Sequence, residues 1–159
     1  MTINRRVILG VGIAATLLPN FVHAQTDQVK ASMAALKDKT AKLGPANVEG
    51  TNLQFGTTKM NNSFEVVDEV VKEHGGTATL FMKSGNDYVR VATNVKKDDG
   101  SRAVGTVLDP HGPVFPMIQK GEAYYGDATI LGKPYVTGYE PIREASGKVI
   151  GIYYVGFLK

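Results

Sequence analysis

Few side chains in this sequence are suited to gripping a small molecule, and they fall in two groups. Arg90 lies between Val89 and Val91 in an apolar run. A guanidinium among apolar neighbours must reach water or a partner. Its planar fork can hold a carboxylate through two hydrogen bonds; the alternative is an edge-facing arginine paired with a local acid. Arg102, in the loop that follows, is a second such group, and it could equally hold that loop down. The other group is the alternating segment Tyr135-Val136-Thr137-Gly138-Tyr139-Glu140. As a strand it puts Tyr135, Thr137 and Tyr139 on one face. Tyrosine offers an apolar plane and a hydroxyl, which suits a small polar ligand, but core aromatics with satisfied hydroxyls read the same way. Tyr125 and Thr129 are further candidates on alternate positions of the preceding segment.

Other chemistry is thinly supplied. Cysteine is absent, which removes thiol nucleophiles, thiolate metal sites and disulfides. The histidines are His23, His74 and His111. Asp109-Pro110-His111-Gly112 offers two metal ligands, too few for a structural or catalytic site, and reads as a turn. Asp98 and Asp99 read as a solvated turn. No serine sits in a nucleophile elbow. Gly10-x-Gly12-x-x-Ala15 matches a dinucleotide fingerprint, yet no strand precedes it and no βαβ unit surrounds it. The expectation is a protein with no catalytic residues, no cofactor and no metal.

The first residues, MTINRR, VILGVGIAATLL and PNFVHA, have the three parts of a secretory signal. An apolar run of about 12 residues is too short to cross a bilayer, which needs about 20. Cleavage after Ala24 is expected, with residues 25–159 forming one domain in the periplasm; a retained N-terminal anchor is the alternative. Arg5-Arg6 leaves twin-arginine export open beside the general route. Removing those arginines takes most of the formal +3 charge, so the net positive sequence does not imply nucleic-acid binding.

These side chains need a scaffold. Thr26 to Lys42 lacks Gly and Pro, and Val29, Met33, Leu36, Thr40 and Leu43 make a narrow amphipathic stripe on one helix. The stripe either covers a sheet or forms a homodimer seam. One or two short extended pieces are expected around Asn52–Phe55. A second helix starts near Asn62, with Asn62 and Glu65 as a capping-box-like pair, and ends at Gly75-Gly76. Ala78–Asn94 is two β-rich runs about the turn Ser84-Gly85-Asn86-Asp87. After the loop Lys96–Thr106, a short helix is expected from Pro113 to Lys120. Three strands follow: Tyr124–Ile130, Pro134–Glu144 and Val149–Phe157. The last is apolar on both faces, with Val149, Tyr153, Val155 and Phe157 on one and Ile150, Ile152 and Tyr154 on the other. It belongs in the middle of an antiparallel sheet of about five strands, and the fold class is α+β.

The strings GNDYVRVATNVKKDDGSRAVGTVLD (Gly85–Asp109), GEAYYGDATILGKPYVTGYEPI (Gly121–Ile142) and REASGKVIGIYYVGF (Arg143–Phe157) resemble the Cache domains of bacterial chemoreceptors and sensor kinases. The form they resemble is the single, PAS-like Cache domain known as the Cache three/Cache two fusion. The resemblance runs from about Asn61 to Phe157. It implies a long N-terminal helix on a five-stranded antiparallel sheet, and a pocket on the other face roofed by the segment between the second and third strands. It also implies a small organic ligand such as a carboxylate or amino acid. Citrate-type relatives place basic residues where Thr137 and Tyr139 stand, which points here to a monocarboxylate, an amino acid or a neutral ligand.

Family members usually sit between two membrane helices and drive a cytoplasmic output module. This sequence shows neither after its final strand, so the expectation is a periplasmic sensor module that acts through a membrane sensor or receptor partner in signal transduction or chemotaxis. Two other readings remain: a structural or protein-interaction module with a vestigial pocket, and a small hydrolase.

Overall fold

The computed structural model describes residues 19–159, and the side chains of residues 23–159. Helix α1 (Pro19–Ala41) leads into β1 (Ala46–Glu49), β2 (Asn52–Phe55) and β3 (Thr58–Lys59), then α2 (Glu65–His74). The rest runs β4 (Thr77–Ser84), β5 (Asp87–Thr93), α3 (Val114–Gln119), β6 (Tyr124–Ile130), β7 (Lys133–Arg143) and β8 (Val149–Leu158). Strands β4 to β8 form one five-stranded antiparallel sheet in the order β5-β4-β8-β7-β6. The fold is the expected α+β arrangement, with the N-terminal helix on one face of that sheet.

The α1 stripe is buried by the chain's own sheet. Val29, Met33, Leu36 and Thr40 are at most 1% exposed, while Leu43 lies past the helix and is exposed. The stripe is therefore not left over for a dimer seam. Beside α1, Val67 and Val70 of α2 complete this helix-side core with Leu80, Ile142, Ile150 and Val155. Burying each such aliphatic side chain contributes about 1.5–3 kcal/mol. The helix begins earlier than expected and runs through the expected cleavage point between Ala24 and Gln25. Residues 1–18, most of the expected signal, lie outside the described residues.

One local expectation fails because a longer-range hydrogen bond wins. Asn62 does not cap α2. It adopts φ 58, and its amide donates to the Val91 carbonyl at 2.7 Å, so the helix starts at Glu65 without a side-chain cap. The stretch expected to hold one or two extended pieces is a three-stranded sheet, β1-β2-β3. Asn61 pins it, accepting from the Leu53 amide at 2.9 Å and donating to the Thr51 carbonyl at 3.0 Å.

Strand β8 is central, between β4 and β7. Its faces alternate as expected except at the start. The β7–β8 register slips after Ile142↔Gly151 to Arg143↔Val149. That slip turns Ile150 toward the helix side and Val149 toward the far side. Ile152 and Tyr154 belong to the far-side core, with Phe81, Tyr139 and Ile118 of α3.

Three connections shape the far face of the sheet. The β4–β5 turn is Gly85-Asn86. The β6–β7 turn is Leu131-Gly132, with Ile130 paired to Lys133 and φ of 48 and 82. That is a mirror-image turn favouring Asn-Gly, and leucine in this left-handed conformation costs about 1–2 kcal/mol. Between β5 and α3, residues 103–108 run along the open edge of β5. Ala103, Gly105 and Leu108 donate to the carbonyls of Val95, Arg90 and Tyr88, each at 2.9 Å, and the Arg90 amide donates to Thr106. Among the described residues, no helix is long and apolar enough to cross a membrane.

Candidate functional site

A cavity of about 360 Å³ opens on the far face of the sheet. Arg90 and Tyr139 form its floor. Val107, Leu108 and Asp109 wall one side, and Thr129, Ile130 and Leu131 of the β6–β7 hairpin wall the other.

Arg90 is 5% exposed. A one-residue slip between Leu80 and Phe81 in the β4–β5 register places it opposite Phe81, whose ring centroid lies 4.8 Å from its guanidinium carbon. Nη1 donates to Thr106 Oγ1 at 2.9 Å and to the Val107 carbonyl at 3.3 Å. Nε is buried without an acceptor. No carboxylate forms a salt bridge with Arg90 among the described residues. Burial lowers its pKa, an effect opposed by Tyr139 and Tyr154, but an arginine remains a cation in any case. A buried, unneutralised cation with a donor to spare is costly unless something anionic completes it.

Tyr139 is 1% exposed and packs on Tyr154 with ring centroids 4.9 Å apart. Burial pushes its hydroxyl pKa well up, and the Arg90 charge opposes that rise. The hydroxyl is therefore a neutral donor beside the guanidinium. The charged residues on the cavity lining are Arg90, deep, and Asp109, exposed at the rim. Asp109 Oδ1 accepts from the His111 amide at 2.9 Å in a tight turn. The arrangement can bind an anion at the floor and a cation at the rim. It offers no nucleophile paired with a base.

The expected residues divide. Arg90, Tyr139 and Thr129 come together at the cavity. Arg102 does not: it forks onto Asp68 of α2 with two bonds of 2.7 Å, donates to the Thr93 carbonyl at 3.0 Å, and lies over Phe64 at 4.2 Å. It ties the roofing segment to α2, its alternative role. Tyr135 and Thr137 share the cavity face of β7 with Tyr139. Tyr135 packs at the margin of the far-side core, and Thr137 donates to the Gly126 carbonyl at 2.7 Å. Tyr125 lies on the opposite face, over Gly138, and donates to Glu140 Oε1 at 2.5 Å. Glu140 also pairs with Lys37 of α1.

Sequence reasoning missed Asp109, Val107 and Leu131. Asp109 looked like turn punctuation because its place at the rim depends on the roof folding back over β5. Leu131 carried a legible signal: leucine where the turn type favours asparagine.

Among known families, the model of the Cache 3/Cache 2 fusion domain matches residues 3–159. The ligand-binding domain of the Campylobacter jejuni chemoreceptor Tlp3 in complex with L-valine is similar at 13% identity and a TM-score of 0.45, over 87% of this chain and 60% of that one. The same sensory domain in a second structure gives 13% identity and 0.45, over 87% and 61%. With isoleucine bound it gives 12% and 0.43, over 87% and 60%. The chain spans about 60% of the length of these solved structures. No curated protein matches the sequence.

Proposed function

The chain belongs to the Cache 3/Cache 2 fusion family, and we propose that it is an extracytoplasmic sensor module that binds a small monocarboxylate, an α-amino acid foremost. The observation that carries this reading is Arg90, a buried guanidinium with an unused Nε and no acidic partner, at the floor of a cavity of about 360 Å³. A carboxylate supplies the missing countercharge. Tyr139 donates beside it. Asp109 at the rim receives an ammonium. A second carboxylate on the ligand finds no second cation on the lining and meets Asp109 instead, which disfavours dicarboxylates.

In this reading, export by residues 1–24 places the domain in the periplasm, and a membrane sensor or receptor reads occupancy through α1. The supporting geometry is short. Tyr139 faces the cavity, and its neighbour Glu140 holds Lys37 of α1 from the other side of β7. Gly138, just before Tyr139 in β7, lets Val29 of α1 approach closely.

A thermal-shift screen of monocarboxylates and amino acids tests the binding. Ligand at about 100 times its Kd stabilises the fold by about 2.7 kcal/mol. No rise in Tm with any member overturns the reading in favour of an interaction module with a closed pocket. Asp109→Asn separates amine from acid: alanine binding should weaken about three- to fivefold while propionate binding stays unchanged or tightens slightly. Equal effects on both would remove the ammonium role of Asp109.

A further inference from the structure

Leu131 breaks two local rules at once. It is the first residue of a two-residue hairpin turn that needs positive φ at both positions, where Asn, Asp or Gly serves without strain. Leu131 nevertheless adopts φ 48. Its side chain is 43% exposed and belongs to neither core cluster. Backbone preference and solvation thus both disfavour leucine here. Across the mouth, Val107 is 45% exposed and also stands outside both clusters. The two side chains line the same cavity as Arg90, and Ile130 and Pro113 continue the apolar wall. Backbone strain of this kind persists where a site needs the side chain it carries.

The geometry points to Leu131 as a specificity-determining residue: with Val107 it forms an apolar collar around the aliphatic tail of a ligand whose carboxylate Arg90 holds. This rests on the monocarboxylate reading and narrows it. The cation is at the floor and the apolar pair at the rim, so the ligand enters head first and its tail ends between Leu131 and Val107. A second acid on the tail would meet this apolar pair and Asp109, with no cation on the lining to receive it. The class is therefore the short-chain aliphatic monocarboxylates, with or without an α-amino group, longer than acetate or glycine.

Calorimetric titration with two series tests this: acetate, propionate, butyrate and pentanoate, and glycine, alanine, 2-aminobutyrate and norvaline. In the unsubstituted protein, affinity should climb about three- to fourfold per methylene in at least one series. Leu131→Asn fits the turn and removes the tail contact. It should raise the Tm of the unliganded chain by about 3 °C, keep the affinity for the shortest ligand, and flatten the climb. Val107→Ser should flatten the climb without the rise in Tm. A climb in Leu131→Asn as steep as in the unsubstituted protein overturns the collar, and so does a lower Tm. Binding that is independent of chain length overturns the collar and leaves the Arg90 anchor standing. Absence of binding by both series overturns the anchor as well.

Discussion

Arg90→Met is expected to bind neither alanine nor propionate measurably, and to unfold at a higher temperature than the unsubstituted protein when no ligand is present. The two effects have one cause. In the unliganded chain the guanidinium is 5% exposed, its Nε lacks an acceptor, and no acid neutralises it. Replacing buried charge with an apolar chain of similar length is often stabilising, here by about 1–2 kcal/mol, or roughly 3–6 °C in Tm. The acceptors left behind lose little. Thr106 still donates its hydroxyl to the Ala103 carbonyl at 2.6 Å, and the exposed Val107 lies at the cavity mouth. Methionine fills the space over Phe81 with a flexible apolar stem. With ligand present the balance reverses, because a carboxylate entering the cavity then loses its countercharge. Removing one member of a buried charge pair costs about 3–5 kcal/mol, a loss of about 10²–10⁴-fold in affinity. Differential scanning calorimetry and titration calorimetry read the two effects separately. A variant that binds as the parent does would remove Arg90 from the site, and one that melts lower without ligand would show that the unliganded guanidinium is not a net cost to the fold.

Gly151→Ala is expected to have the largest effect on stability, a loss of about 3 kcal/mol and a fall of about 10 °C in Tm. A Cβ at residue 151 would stand 2.2 Å from the Phe81 carbonyl oxygen, a backbone atom of the neighbouring strand. It would also meet Ile142 Cδ1 at 3.3 Å. A side chain could turn aside; a carbonyl in the middle of the sheet cannot without parting β4 from β8. Gly112→Ala is the matched comparison, since its added Cβ meets Asp109 atoms at ordinary distances of 3.5–3.7 Å. That variant should stay within about 1 kcal/mol of the parent. If Gly151→Ala also stays within that limit, the close approach of β8 to β4 is not a constraint.

The sheet was legible because its signals are local. Alternation in Tyr135–Tyr139, the turn residues Gly85 and Asn86, and the two apolar faces of Val149–Phe157 each act within a few residues. Arg90 was legible because a charge inside an apolar run has few explanations. What escaped depends on pairs distant in sequence. Arg102 meets Asp68 across 34 residues, and nothing near either residue signals the other. Asn62 had a sound local claim to cap α2, and a hydrogen bond to Val91 displaced it. Only Tyr139, Arg90 and Thr129 of the expected residues share the cavity. A strand period says which face a side chain takes, whereas the roof and the hairpin tip decide which part of that face stays open.

The sheet order has a consequence for how the molecule assembles. Hairpin β4–β5 and hairpin β6–β7 share no main-chain ladder; within the sheet each is joined to the other through β8. Without β8 the two hairpins are separate flaps of the ladder, and the cavity walls they carry are joined by side-chain packing such as Phe81 against Tyr139. The ten residues of β8 lace the flaps together, and they must find β4 across a long stretch of intervening sequence. Closing so long a loop is slow. The strand that closes the sheet is thus also the one that sets the spacing of the cavity walls, so the site is complete only when the last strand is in place.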